Sequence, residues 1–195
     1  MRKVSASLLN GIKYNRNDKS KLEELIVGKE FKTTKEQQKG IDFEEDLAIM
    51  NGNLIKNKKI EDDEWLTNKK NIFNIIKGSE WQLKVEKVFN IDNEDFLIKG
   101  FCDFVKKDEI IYDIKTTKRY CEGDMKFVSS PQHLIYMELT GIEKFQYIIN
   151  SWEDNKKFYV ENYKKNKNNL DLIVQNIRFC RKILLENDLD FPNVE

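Results

Sequence analysis

The stretch from Trp81 to Ile114 does most to limit what this chain can become. Trp81-Gln82-Leu83-Lys84-Val85-Glu86-Lys87-Val88 alternates with period two, the mark of a half-buried strand. Glu94 to Val105 and Glu109 to Ile114 read as two further strands, joined by the polar turn Lys106-Lys107-Asp108. A turn that tight makes them antiparallel neighbours. Flanking this sheet, the apolar spacing is helical. Ser5 or Ser7 can cap a short helix through Leu8, Leu9 and Ile12. A second helix is expected from about Lys35 to Met50, with Ile41, Glu44, Glu45 and Ala48 at spacings of three and four, and a third from about Asp63 to Lys77, with Trp65, Ile72, Phe73 and Ile76 on its apolar side.

Beyond the sheet, Pro131 suits the first turn of a helix running to about Leu139. Phe145 to Ile149 and Phe158 to Tyr163 read as a hairpin split at Asp154-Asn155, and a last helix spans about Asn169 to Leu185. Leu170, Ile173, Val174, Ile177 and Leu184 share one of its faces. The expected fold class is α/β (α+β), a central mixed sheet with helices packed around it. With no internal repeat and no Pro/Gly/Ser linker, one domain over residues 1–195 is expected: N-terminal helices at about 5–77, sheet and following helix at about 81–163, and a C-terminal helix at about 169–185.

Composition excludes several classes. No apolar run approaches the ~18 residues that span a membrane, and the stretch from Ala6 to Leu9 after Met1-Arg2-Lys3 is too short for a signal peptide. An intracellular, cytoplasmic protein is therefore expected. Cys102, Cys121 and Cys180 are odd in number and widely spaced, which fits neither a disulfide framework nor a paired metal motif. The 34 basic and 34 acidic residues cancel, which weighs mildly against a nucleic-acid binder. They are unevenly spread, however: Glu44 to Asp46 and Glu61 to Glu64 are acidic, and Lys156 to Lys167 is rich in lysine.

The central hairpin gathers the chemistry. Its first strand carries Gly100-Phe101-Cys102-Asp103 and its second Tyr112-Asp113-Ile114-Lys115-Thr116-Thr117. Residues two apart on a strand share a face, so Asp113 and Lys115 project together, with Asp103 near Asp113 on the adjacent strand. Two such carboxylates can hold a hard cation such as Mg²⁺. The cation polarises a scissile phosphate and lowers the pKa of water, and Lys115 can orient that water or help remove its proton. An acid, any residue and a lysine also occur at Glu30/Lys32, Asp124/Lys126 and Asp154/Lys156. From the hairpin alone, a strand-end ion pair of little energetic worth competes evenly with catalysis.

With its surroundings, the hairpin resembles the active site of the PD-(D/E)XK nuclease superfamily, in its RecB-like and lambda-exonuclease-like branch. Five elements carry the resemblance, in the family's order, over roughly residues 5 to 136. They are Ser5-Ala6-Ser7, Gly40-Ile41-Asp42-Phe43-Glu44, Gly100 to Asp103, Asp113 to Thr116, and Gln132-His133-Leu134-Ile135-Tyr136. The resemblance implies a restriction-endonuclease-like core and Mg²⁺- or Mn²⁺-dependent cleavage of DNA. Glu44, Asp103 and Asp113 would be metal ligands, with Lys115 and Gln132 completing the catalytic set. Spacing from Gly40 favours Glu44 over its neighbour Glu45. It also implies an exonuclease of phage or mobile-element recombination or repair, working as a homo-oligomer or with a single-strand annealing partner. An endonuclease on the same core, or a binding protein that does not cut, are the alternatives.

Gln132 and Tyr136 sit four apart, about 6 Å along a helix axis, on one face. The amide can bond a phosphate or a metal-bound water; the tyrosine can bond phosphate, stack on a base, or be a core aromatic. Lys118 and Arg119 can meet DNA phosphates or be ordinary loop charges. His133, the one histidine, and the three tryptophans are expected to pack rather than touch substrate. Some members of the branch hold an iron-sulfur cluster on one N-terminal and three C-terminal cysteines. Here none precedes Cys102, so no cluster is expected. No Walker-type loop is present.

Overall fold

The computed structural model describes all residues except 30–32, 56–59, 61–64, 123–124, 154–157 and 195. The turn expected at Asp154-Asn155, the helix start expected at Asp63, the acidic run 61–64, and Glu30, Asp124 and Asp154 lie outside the described residues.

Elements run in the order β1 (Arg2–Val4), α1 (Ala6–Tyr14), α2 (Lys19–Val27), α3 (Lys35–Met50), α4 (Leu66–Ile76), β2 (Glu80–Ile91), β3 (Glu94–Lys106), β4 (Ile110–Thr117), α5 (Met125–Val128), α6 (Gln132–Thr140), β5 (Lys144–Ser151), β6 (Phe158–Lys164) and α7 (Asn169–Leu185). Ser5 caps α1 by accepting from the Leu8 amide, and Thr34 opens α3 in a reciprocal capping box with Gln37. Between β2 and β3, Asp92 and Asn93 both take positive φ, as a two-residue hairpin turn requires.

The sheet is mixed, in the order β1-β3-β4-β5-β6, with β2 also on β3. The β1–β3 and β4–β5 pairs are parallel; β2–β3, β3–β4 and β5–β6 are antiparallel. Since β2 runs along one edge of β3, β1 and β4 divide the other. β1 takes Phe96 to Ile98 and β4 takes Phe104 to Lys106. Residues 99–103 lie between, at a fork in the sheet.

Helices cover both faces. Ala6, Leu9 and Ile12 of α1, Leu22 of α2, Ile135 and Met137 of α6, and Ile173 and Ile177 of α7 pack with Ile111, Phe145, Tyr147 and Ile149 of the sheet. On the other face, Phe43 and Leu47 of α3 and Ile72 and Ile76 of α4 pack with Phe104, Tyr112, Ile114 and Ile148. Two expected helix faces are corrected in detail. Ile41 is exposed while Phe43 and Leu47 are buried, and Leu170 is exposed while Cys180 and Ile183 are buried.

Between α3 and α4 lies a buried ion pair, Lys69 Nζ to Asp46 Oδ2 at 2.8 Å, with side chains 2% and 6% exposed. Burying two charges costs several kcal/mol of hydration, so the pair is stable only while both members remain. Lys69→Ala should therefore cost about 3–5 kcal/mol. Urea unfolding measures it; a loss below about 1 kcal/mol would show that the pair behaves like a surface one.

Candidate active site

The site forms at the fork in the sheet. The last ladder pair between β3 and β4 is Phe104 with Tyr112, so one step on, the register sets Asp103 opposite Asp113. The backbone ladder stops there, and the Asp103 side chain replaces it: Oδ2 accepts from the Ile114 amide at 2.9 Å. A carboxylate thus satisfies a donor that strand divergence would have orphaned.

Asp113 is fully buried, and neither carboxylate oxygen has a hydrogen bond of good geometry. Its counter-charge is the Lys115 ammonium, in ion contact with Oδ1, and the Gln132 amide also approaches it. Lys115 keeps 32% of its side chain open, and its ammonium lies 6.0 Å from the centre of the Tyr147 ring. An exposed strand-end ion pair, one of the two readings left open by the hairpin, requires an exposed Asp113; this one has no accessible surface.

Electrostatics follow from that burial. Burial, then the Asp113 and Glu44 charges, push the Asp103 carboxyl well above the usual range, against the pull of Lys115 and the Ile114 amide. Burial also raises Asp113, opposed by Lys115 and Gln132. Burial works against the Lys115 ammonium, but the two carboxylates outweigh it and hold its pKa above the ordinary lysine value. The Cys102 thiol, buried beside the same pair, is pushed up to about 12. Two carboxylates that repel each other in a poorly hydrated site are a natural seat for a cation.

The donor set fits Mg²⁺ or Mn²⁺, since the atoms that meet at the fork are hard carboxylate oxygens and Mg²⁺ needs only one or two carboxylates, keeping its waters. Among the described residues, no three His, Cys, Asp or Glu side chains close into a metal cage. Glu44 lies close enough for its charge to bear on Asp103, yet its Oε1 is engaged by Trp81 Nε1 at 2.9 Å and Gln82 Nε2 at 2.6 Å.

Both motif glycines are sites of close approach. A Cβ on Gly40 would sit 2.6 Å from Thr116 Oγ1, and one on Gly100 would sit 2.6 Å from Tyr136 Cε1. Their bare backbones let α3 and the Tyr136 ring of α6 reach β4 and β3 from opposite faces. Tyr136 itself is buried, interacts with Gln132 and has its hydroxyl pKa raised by burial and by Asp113 and Asp103. Of the roles open to it, stacking on a base is not available in this position. Lys118 and Arg119 are exposed at the end of β4, and both pair with Glu153, at 3.1 and 2.6 Å.

A cleft of about 130 Å³ opens beside Lys115 and Gln132. Asn10, Tyr14 and Ser130 also line it, and sequence reasoning named none of the three as site residues. Asn10 and Tyr14 are one helical turn apart on α1, and Asn10 donates to Ser130 Oγ at 3.3 Å. Tyr14 is 70% exposed, a large aromatic at the mouth of the cleft. Their four-residue spacing after Ser5 was the available signal.

No family model and no curated protein sequence matches this chain. Similarity exists at the level of the fold. The crystal structure of SSO0001 superposes with a TM-score of 0.58 at 15% identity, covering 97% of this chain and 78% of that one. An exonuclease candidate from Eubacterium rectale superposes with a TM-score of 0.54 at 13% identity, covering 96% and 82%. What is shared with these two structures is the fold, a mixed sheet with helices on both faces.

His133 points away from the cleft, buried among Phe145, Tyr147 and Tyr163, with Tyr163 centred 4.2 Å away. Burial lowers its pKa to about 4. Between about pH 6.5 and pH 4 the unfolded chain therefore takes up a proton that the folded chain refuses. The resulting loss of stability grows as pH falls through that window, to about 3 kcal/mol, and stops below it. His133→Leu should lack this component, so its stability relative to the parent should improve by about that much from pH 7 to about pH 4. Urea midpoints at both pH values check this; a pH-independent difference would contradict it.

Proposed function

We propose that this chain is a metal-dependent nuclease that hydrolyses DNA phosphodiester bonds, acting as an exonuclease in recombination or repair of the phage or mobile-element kind. The observation that carries the reading is Asp113, wholly buried and set opposite Asp103, with its counter-charge Lys115 lining the cleft. The exonuclease direction draws on the five-part motif order and on the fold shared with the Eubacterium rectale protein. DNA is the partner proposed; a homo-oligomer or an annealing partner belongs to the same reading.

In this proposal Asp103 and Asp113 would hold Mg²⁺ or Mn²⁺, and Glu44, which closes no three-acid cage with them as it stands, would join as a third carboxylate. When bound, the cation polarises the scissile phosphate and lowers the pKa of the attacking water. Lys115, held charged by its two carboxylate neighbours, donates to the water or to the phosphate oxygen that gains charge. Gln132 offers its amide to the same phosphate, and the buried Tyr136 hydroxyl keeps that amide in place. Lys118 and Arg119 exchange part of their pairing with Glu153 for backbone phosphates, which orient the strand.

Incubation with linear and circular DNA in Mg²⁺, Mn²⁺ or EDTA tests the reading. Cutting that needs metal and free ends is expected; activity unchanged in excess EDTA would end the metal assignment, and binding without cutting would end the enzyme. Lys115→Ala should fold and bind Mn²⁺, yet cut at least about a hundredfold more slowly, the scale of general acid–base assistance. Asp113→Ala should lose Mn²⁺ affinity together with activity. Single-turnover cleavage beside calorimetric Mn²⁺ titration separates them, and a Lys115→Ala protein within a fewfold of the parent rate would remove Lys115 from the chemistry.

A further inference from the structure

Gln82, the third residue of β2, has φ at +54°, in the left-handed region. That conformation is sparsely populated by residues bearing a Cβ, and non-glycine examples concentrate at functional sites. Its effect on the sheet is measurable. Strand side chains alternate between faces, so Trp81 and Leu83 belong on the same one. Instead Trp81 packs with Phe104 on the α3–α4 face, and Leu83 packs with Cys102 on the opposite face. The partner strand inverts in step, because Trp81 pairs with Phe104 and Leu83 with Cys102. The inversion is therefore centred on Gln82 and on Asp103, which the same register sets across from it.

The inversion brings two consecutive side chains of β2 to one atom. Trp81 Nε1 and Gln82 Nε2 both donate to Glu44 Oε1, and neither bond uses Oε2. Had only a local backbone turn been required, glycine would supply it without steric cost; here the long amide reaches α3. We propose that Gln82 and Trp81 are positioning residues for Glu44: the strand inversion delivers both donors to its Oε1 and so fixes the carboxylate that the proposed function assigns as the third acid beside Asp103 and Asp113. This rests on the nuclease reading above. Carboxylates that serve a metal are ordinarily held by such outer hydrogen bonds, and losing them typically weakens metal affinity about 10–100-fold. The Glu44 charge bears on Asp103, as it does when the two acids are near neighbours.

The test is calorimetric Mn²⁺ titration of the full chain without DNA, with melting temperature measured on each variant. Gln82→Gly retains the left-handed backbone and drops the amide; Trp81→Phe retains the packed ring and drops the N–H. Each should weaken Mn²⁺ binding, and the double variant should do so by about 10–100-fold. Gln82→Gly should not lower the melting temperature, because the side chain is exposed and the strain is relieved. Placed on a Glu44→Gln background, neither substitution should cost further affinity, as expected when both act through Glu44. Parent-like affinity in Gln82→Gly and in the double variant, or losses that add in full to that of Glu44→Gln, would overturn the proposal while leaving the nuclease reading intact. A parent protein that binds no Mn²⁺ would overturn both.

Discussion

The hydrogen bond from the Ile114 amide to Asp103 Oδ2 stands where backbone pairing fails. β3 has its first half committed to β1 and its far end to β4, and the two partners do not meet along its edge. A sheet cannot leave buried donors unpaired at such a gap without large cost. A short acceptor side chain at position 103 closes it. That solution places a carboxylate within the sheet, one register step from Asp113, and the rest of the site is a response to the charge so concentrated.

The response comes from both faces. Lys115 and the Gln132 amide bear on Asp113 from the face covered by α1 and α6. Glu44 comes from α3 on the other face and is met there by donors from β2. Close packing of α3 against Thr116 and of Tyr136 against Gly100 requires the absence of a side chain at Gly40 and at Gly100. Neither glycine contributes a functional group; each sets how near a helix comes to strands carrying one. Farther out, the Lys69–Asp46 pair joins α3 to α4 and so holds the helix that bears Glu44.

Much of this was legible in the residues. The central hairpin, its turn, α3, α6 and α7 follow from period and capping, and their observed limits lie within a few residues of those expected. Arg2–Val4 escaped because three residues cannot display a period, and its strand character comes from the edge left open by β4. Lys19–Val27 escaped because it buries a single residue, Leu22, although Asp18 and Gly28 bracket it with cap signals. The inversion at Gln82 had no signal: alternation from Trp81 through Val85 is unbroken in sequence while the faces change in space. Backbone dihedrals at a non-glycine residue are a tertiary outcome, settled by what both strands must pack against.

The same distinction explains why the motifs were informative only as a set. Each names a residue type common in a chain this charged, and acid-x-lysine alone recurs several times. The fold converts their order into position: α3 precedes the sheet and covers one face, the hairpin forms the fork, and α6 follows and covers the other face. Charge balance reads differently in that light. Zero net charge counted against a nucleic-acid partner when averaged over 195 residues. Field depends on placement, and here the acids at the fork are buried or half-buried while Lys118 and Arg119 stand exposed at the strand end beside them. Those two cations share the Glu153 carboxylate at the surface, whereas the carboxylates of the fork are turned inward, where a cation would neutralise them.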